Sequence, residues 1–321
     1  MKNLSWKEVW QSGPGPRTRK ETALLIAKGA CMGAADLVPG VSGGTVAFIT
    51  GIYEDLLGAV TSINKDFFKS LVSFNIKEAF SKIHLRFIFI LFIGLLTAMF
   101  SLAKLMHFLM NNYPIQTWGL FFGLIMASII VVFKKLENPK EVTNIISIAA
   151  GAIFAYVVVG LIPVTTPFEY WFIFLCGVIG ITAMILPGIS GSFLLLILGK
   201  YEFITGALKA PFVGNNFVTL LVFACGTLTG LLSFSRVLKW LLEKYHSTMM
   251  AVLTGIMIGS MRKVWPWKEV LESKVIRGKV RVLRDQNILP TEFNNEVVVT
   301  IALIVIGLVV VLIVDKNAQK H

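Results

Sequence analysis

Two short stretches of this 321-residue chain hold the residues best suited to chemistry. The first contains Asp36, Pro39, Gly40, Ser42, Gly43, Gly44 and Thr45; the second contains Pro187, Gly188, Ser190, Gly191 and Ser192. Both lie within apolar sequence of membrane length. Proline lacks a backbone donor and clashes with the preceding turn, and glycine weakens helix further. Each stretch is therefore expected to unwind, at 36–44 and at 184–192. In a bilayer an unwound segment is tolerated only where protein or water covers it. The chemistry on offer is polar binding at membrane depth, with hydroxyls and peptide N–H groups turned to the backbone or to a ligand. Catalysis fits less well. No His–Asp or Arg–His cluster is present to serve a phosphatase, and no Walker motif is present to use ATP. His84, His107, His246 and His321 have no ligand spacing, so neither metal nor cofactor is expected.

The elements that position these stretches are themselves duplicated. Shifted by 148 residues, Gly29 meets Gly177, Pro39-Gly40 meets Pro187-Gly188, Gly51 meets Gly199 and Tyr53-Glu54 meets Tyr201-Glu202. Further on the shift is 132, and Gly94, Tyr113, Gly123 and Ser128 meet Gly226, Tyr245, Gly255 and Ser260. Such ordered self-similarity implies two homologous halves, an architecture common among secondary transporters. The expected fold is an all-α polytopic membrane protein of two inverted repeats, each a re-entrant or broken hairpin followed by three transmembrane helices. The repeats span 22–162 and 170–314, between an N-terminal tail (1–21) and a C-terminal tail (315–321).

Composition agrees. The chain is 55% hydrophobic and 15% charged, with mean hydropathy +0.76, which excludes an ordinary globular domain. The net charge of +12 points to anionic lipid headgroups rather than nucleic acid, since there is no basic, aromatic-laced soluble module. Cys31, Cys176 and Cys225 all lie in apolar runs and read as buried thiols. The tail, with Trp6 and Trp10 among lysines and arginines, reads as interface-seeking and cytoplasmic. Spans are expected near 87–110, 117–134, 144–162, 217–242, 247–261 and 297–314. Counting them puts both termini inside and the second hairpin outside. The segment 262–284 resists this topology, because its eight basic and two acidic residues would face outward.

The signatures ADLVPGVSGGT and ILPGISGSFLLLILGKYE resemble those of the polyprenyl-phosphate transporter family, and the likeness runs over nearly the whole chain. It implies a bacterial cytoplasmic-membrane translocase that returns undecaprenyl phosphate from the outer to the inner leaflet. The alternative is a secondary transporter of a small soluble anion. No feature of the sequence sets the oligomeric state.

For a phosphate headgroup the breaks would supply Ser42, Gly43, Gly44, Thr45, Ser190, Gly191 and Ser192, aided by the helix N-terminus past each break. The same glycines and serines also suit close helix packing. Arg236 and its counterpart Lys104 could each receive the phosphate in one leaflet, or simply snorkel. Asp36, whose counterpart is Met184, reads equally as a coupling carboxylate, a partner of Lys28, or a cap for the helix after Pro39. Glu54 and Glu202 are coupling or gating candidates that could instead orient the hairpins. Arg86 reads as an interfacial anchor.

Overall fold

The computed structural model describes residues 4–37, 42–276 and 279–318. Pro39 and Gly40, the expected centre of the first break, lie outside the described residues. Two short helical stretches start on capping boxes. Ser5 with Glu8 opens α1 (Trp6–Ser12), and Thr18 with Glu21 opens α2 (Arg19–Asp36). After the first break come α3 (Gly43–Ile49) and α4 (Tyr53–Thr61), then two small helices in the polar linker, α5 (Lys65–Val72) and α6 (Ile76–Ser81). The first half continues with α7 (Leu85–Asn112), α8 (Pro114–Lys135) and α9 (Val142–Val159). The second half repeats the order without the linker helices: α10 (Tyr170–Ile185), α11 (Gly191–Ile197), α12 (Tyr201–Lys209), α13 (Asn216–Lys244), α14 (His246–Val264) and α15 (Asn295–Ala318).

Five of these helices are long and apolar enough to cross a membrane, namely α7, α8, α9, α13 and α15; counting the bent α11–α12 pair as one span makes six. The chain is thus polytopic. α14, expected as a span, has comparable length but buries Leu253, Thr254, Ile256, Met257 and Ser260. A helix surrounded by protein needs no continuous lipid-facing apolar surface.

The fold corrects the sequence reading in four places. The arm that follows the first break is not one helix of the expected hairpin but two, α3 and α4, broken at Gly51; its counterpart breaks at Gly199 with a 111° bend. Both glycines have positive φ, 71° and 64°, a conformation that costs other residues. The chain is not all-α. The basic segment forms an antiparallel hairpin of β1 (Lys268–Ile276) and β2 (Lys279–Asn287), pairing Lys268 with Asn287 and Ile276 with Lys279. Alternation around Val280 and Val282 suits a strand, a signal hidden beneath the charge. Cys31 and Cys225 are exposed and only Cys176 is buried. Arg86 is buried rather than interfacial, and its Nη2 donates to the Gly13 and Gly15 carbonyls, pinning the tail to α7.

Helix pairing follows a regular scheme. Within the halves, α2 packs on α7 and α10 packs on α13; across them, α8 packs on α15 and α9 packs on α14. Glycine sets the spacing. A methyl on Gly94 would overlap the Ile26 carbonyl, and one on its counterpart Gly226 would overlap the Phe174 carbonyl. Across the halves, Gly123 lies against Ile304 and Gly255 against Ile148. The crossing pairs run parallel. Gln116 meets Glu296 at the starts of α8 and α15, and Asn144 meets Ser247 at the starts of α9 and α14.

Candidate functional site

The two breaks meet in the protein interior. On the first, α2 ends at Asp36, whose Oδ1 accepts the Gly43 N–H at 2.6 Å. Ser42 is the N-cap of α3, and its Oγ accepts the Gly44 N–H at 3.1 Å. The same hydroxyl donates across the molecule to the Met184 carbonyl at 3.3 Å. One turn on, Thr45 Oγ1 accepts the Gly188 N–H at 2.8 Å. The Tyr53 hydroxyl, at the head of α4, donates to the Ile185 carbonyl at 2.9 Å. Ser42, Thr45 and Tyr53 are each at most 3% exposed. Gly44 is needed for this approach, because a Cβ there would sit 2.6 Å from the Met184 carbonyl oxygen.

The second break is held differently. Gly188 has φ +94°, and a Cβ on it would meet Ser260 Oγ at 2.8 Å. Ser190 is the N-cap of α11 but makes no side-chain capping bond. Its hydroxyl pairs with that of Ser192 at 2.8 Å. Gly191 is buried against the Gly180 carbonyl. Met184, at the position of Asp36, contributes a carbonyl and no charge.

The helices past the breaks, α3 and α11, are seven residues each, under two turns. Hydroxyls and individual peptide groups therefore supply the chemistry, and the helix dipole expected from the sequence adds little.

The charged candidates scatter. Arg236 is exposed on α13; its Nη2 donates to the Ile63 carbonyl at 2.6 Å and its Nη1 to Leu232 at 2.8 Å. It borders an open cavity of about 560 Å³ with Asn64, Lys65, Asp66, Phe68 and Leu232, apart from the breaks. Lys104 is exposed on α7. Lys28 does not reach Asp36: its Nζ donates to the Thr50 carbonyl at 2.7 Å. Glu54 pairs with His246 Nε2 at 3.3 Å, both largely exposed, so it faces no buried cavity. Glu202 is half-buried on α12.

Sequence reasoning missed the hydroxyl of Tyr53, although the matched Tyr53 and Tyr201 marked the position. It also missed Lys200, which is 1% exposed. Its Nζ donates to the Thr166 carbonyl at 2.9 Å and lies 3.7 Å from the Phe168 ring centre. The repeat offered a hint here, since Lys200 aligns with Ile52, a neighbour of Lys28 in the lining of one cavity.

Comparison with known proteins gives the family. The family model described as VCA0040-like, undecaprenyl phosphate translocase-like, matches residues 32–280. A polyprenyl-phosphate transporter of Vibrio cholerae serotype O1 is 40% identical over 300 residues, covering 91% of this chain and 96% of the relative. A polyprenyl-phosphate transporter of Staphylococcus aureus is 30% identical over 258 residues, 75% of this chain and 85% of that one. No solved structure matches the chain significantly. With five or six helices able to cross a membrane, it is a multi-pass bacterial membrane protein, and it belongs to the undecaprenyl phosphate translocase-like family.

Proposed function

We propose that this protein carries polyprenyl phosphate, undecaprenyl phosphate above all, from the outer to the inner leaflet, by moving two inverted repeats about the paired breaks. The observation that carries this reading is the contact of the breaks themselves. Buried hydroxyls and peptide groups from both halves satisfy one another there, through Thr45 with Gly188 and Ser42 with Met184. A phosphate headgroup crossing hydrocarbon needs donors, because an unpaired buried charge is costly. If the halves separate, the Gly188 N–H and the Ser42 hydroxyl lose their cross-partners and become available to it, beside the Ser190–Ser192 hydroxyl pair. The exchanged pairing of α8 with α15 and α9 with α14 supports an inverted pseudo-two-fold relation, which interconverts those two pairs. The names of the relatives support the substrate.

In this cycle Asp36 is the gating carboxylate. It holds the start of α3, and losing its charge would loosen that hold. Arg236 receives the phosphate at the inner face, where its planar donor fork suits phosphate and keeps its charge. The linker helices seat this face on the membrane. Phe68, Leu71, Val72 and Phe74 are exposed around α5, beside Lys65 and Lys69, as suits a helix lying among anionic headgroups.

The test is leaflet-resolved labelling of undecaprenyl phosphate in proteoliposomes holding wild type or Arg236→Gln. Wild type should empty the outer leaflet. The variant should bind the headgroup about ten- to hundred-fold more weakly, the worth of one charge-assisted hydrogen bond. Transport of inorganic anions with no lipid movement would replace this reading with that of a soluble-anion transporter.

A further inference from the structure

The β1–β2 strap is built on a charged cluster that the phosphate path above does not use. Lys263, in the last turn of α14, and Lys268, the first residue of β1, converge on one carboxylate. Asp285 Oδ2 on β2 lies 3.3 Å from Lys263 Nζ and 3.4 Å from Lys268 Nζ. Lys268 Nζ also donates to the Lys263 carbonyl at 2.6 Å. Each ammonium lies against a ring: Lys263 is 4.9 Å from the centre of Phe193, and Lys268 is 5.0 Å from that of Trp118. The Trp267 indole N–H is buried and has no hydrogen-bond partner among the described residues.

This cluster is drier than an ordinary surface pair. The Lys268 side chain is 14% exposed, and burial pushes its ammonium down to about 8 despite the pull of Asp285. Burial pushes the Asp285 carboxyl up, but Lys268 and Lys263 together outweigh it and hold it below its ordinary value. Two cations share a single negative charge, so the pocket keeps an unbalanced positive charge between aromatic walls. A phosphate monoester dianion in place of the Asp285 carboxylate would balance both cations, and the rings suit the first isoprene unit.

Position adds to this. Phe193 directly follows Ser192, so the cluster adjoins the second break. Arg236 lies toward the end of α13 that joins the start of α14, whereas Lys263 closes the other end of α14. That helix has 19 residues, roughly 28 Å at 1.5 Å per residue, close to the ~30 Å hydrocarbon thickness of a bilayer. Arg236 lies eight residues back from the end of α13, roughly 12 Å along that helix, so the two cationic places differ in depth by roughly half a bilayer, with Lys263 at the far end of α14.

We infer that Lys263 and Lys268 form a second receiving site for a phosphate monoester, at the far end of α14 from the Arg236 site, which Asp285 fills as an internal stand-in until phosphate displaces it. The inference rests on the polyprenyl-phosphate reading. It recasts the basic hairpin as a charged lid rather than an anomaly of topology.

The test uses the full chain in detergent, in an Arg236→Gln background to isolate this site. Binding of farnesyl monophosphate, farnesol and inorganic phosphate is measured for that background alone and with Lys263→Gln, Lys268→Gln or Asp285→Asn added. Each lysine change should weaken farnesyl monophosphate by about tenfold or more, the effect of losing a charge-assisted bond. Asp285→Asn should tighten it, because the competitor is gone, and Lys268→Arg should restore binding. Farnesol should bind weakly throughout. Inorganic phosphate bound as tightly as farnesyl monophosphate would assign the site to free phosphate; much weaker binding assigns it to lipid. An ion pair that merely braces the strap predicts otherwise. Asp285→Asn and Lys268→Gln would then both lower thermal stability and leave affinity unmoved, which overturns the inference. Failure of the transport reading looks different, since wild type would then move no prenyl phosphate at all.

Discussion

The two breaks occupy matching places in a self-similar sequence but are closed by different means. The first is closed from within its own half. Asp36 takes the Gly43 N–H and Ser42 takes the Gly44 N–H, so its cap survives if the halves part. The second has methionine where the first has aspartate, and Ser190 makes no capping bond. The Gly188 peptide is instead satisfied by Thr45 from the first half. Parting the halves would therefore leave the first break intact and strip the second of a partner. The lesson is a division of labour: a fixed tip that docks, and a yielding tip with donors to offer a ligand.

The largest test of this comparison is Asp36→Ala. It removes a half-buried carboxylate acceptor and leaves the Gly43 N–H without it, which should cost about 1.5–3 kcal/mol. Denaturant or thermal melting in detergent measures it. Asp36→Asn keeps an acceptor and should recover part of that loss, while flattening the pH dependence of transport if the carboxylate gates. A loss below roughly 0.5 kcal/mol for the alanine variant, within the usual range for harmless surface changes, would mean the first tip is not fixed by its cap.

Next in size is the matched pair Ser42→Ala and Ser190→Ala. Ser42 caps α3 and also reaches Met184, so its loss should cost about 1–2 kcal/mol of stability. Ser190 bonds only to the Ser192 hydroxyl in the described contacts, and its loss should cost about 0.5 kcal/mol, the low end for a net hydrogen bond. For polyprenyl-phosphate affinity the order should reverse, with Ser190→Ala the more harmful. Equal effects in both assays would end the division of labour.

Much of this was legible in the sequence because its self-similarity supplied an internal control. The Pro-Gly pairs, the matched tyrosines and Gly94 with Gly226 located the halves, and helix lengths followed from apolar runs. Gly51 and Gly199 were visible as a matched pair, yet the further break at each was missed, since a lone glycine within apolar sequence does not disclose a positive φ. The capping role of Asp36 was one of three open readings. Choosing among them required knowing that Gly43 folds back beneath α2, a tertiary fact. The cross-contacts of Ser42 and Thr45 lie 142 and 143 residues apart, beyond any local pattern. The hairpin β1–β2 was obscured because charge dominated its reading, and the meeting of Lys263, Lys268 and Asp285 depends on strand pairing that no spacing rule supplies.

The smallest expected effect sharpens a second contrast, between the buried breaks and the strap outside them. The breaks hold by neutral groups and one capped carboxylate, whereas the strap holds by charges that titrate. Asp285 titrates below its ordinary carboxylate value when folded. Its ion pairs therefore favour the closed strap above that ordinary value, and this support is lost as pH falls through the lowered one. Lys268 adds a term of the same sign. Its folded value of about 8 lies below the ordinary 10.5, so between those two the open strap binds the extra proton and closure gains with rising pH. A simple salt bridge would instead weaken as its lysine lost charge. The closed strap should thus be steadier at pH 9 than at pH 7, and least steady near pH 3. Each limb should be worth on the order of 0.5–1 kcal/mol once solvent screening is allowed for. Amide exchange of β1 and β2, corrected for intrinsic rates, reads this locally. Asp285→Asn should erase the acid limb and Lys268→Gln the alkaline one, while amides of α14 stay unchanged in both. If strap protection fell between pH 7 and 9 in wild type, Lys268 would be an ordinary exposed partner and the strap no drier than the rest of the surface.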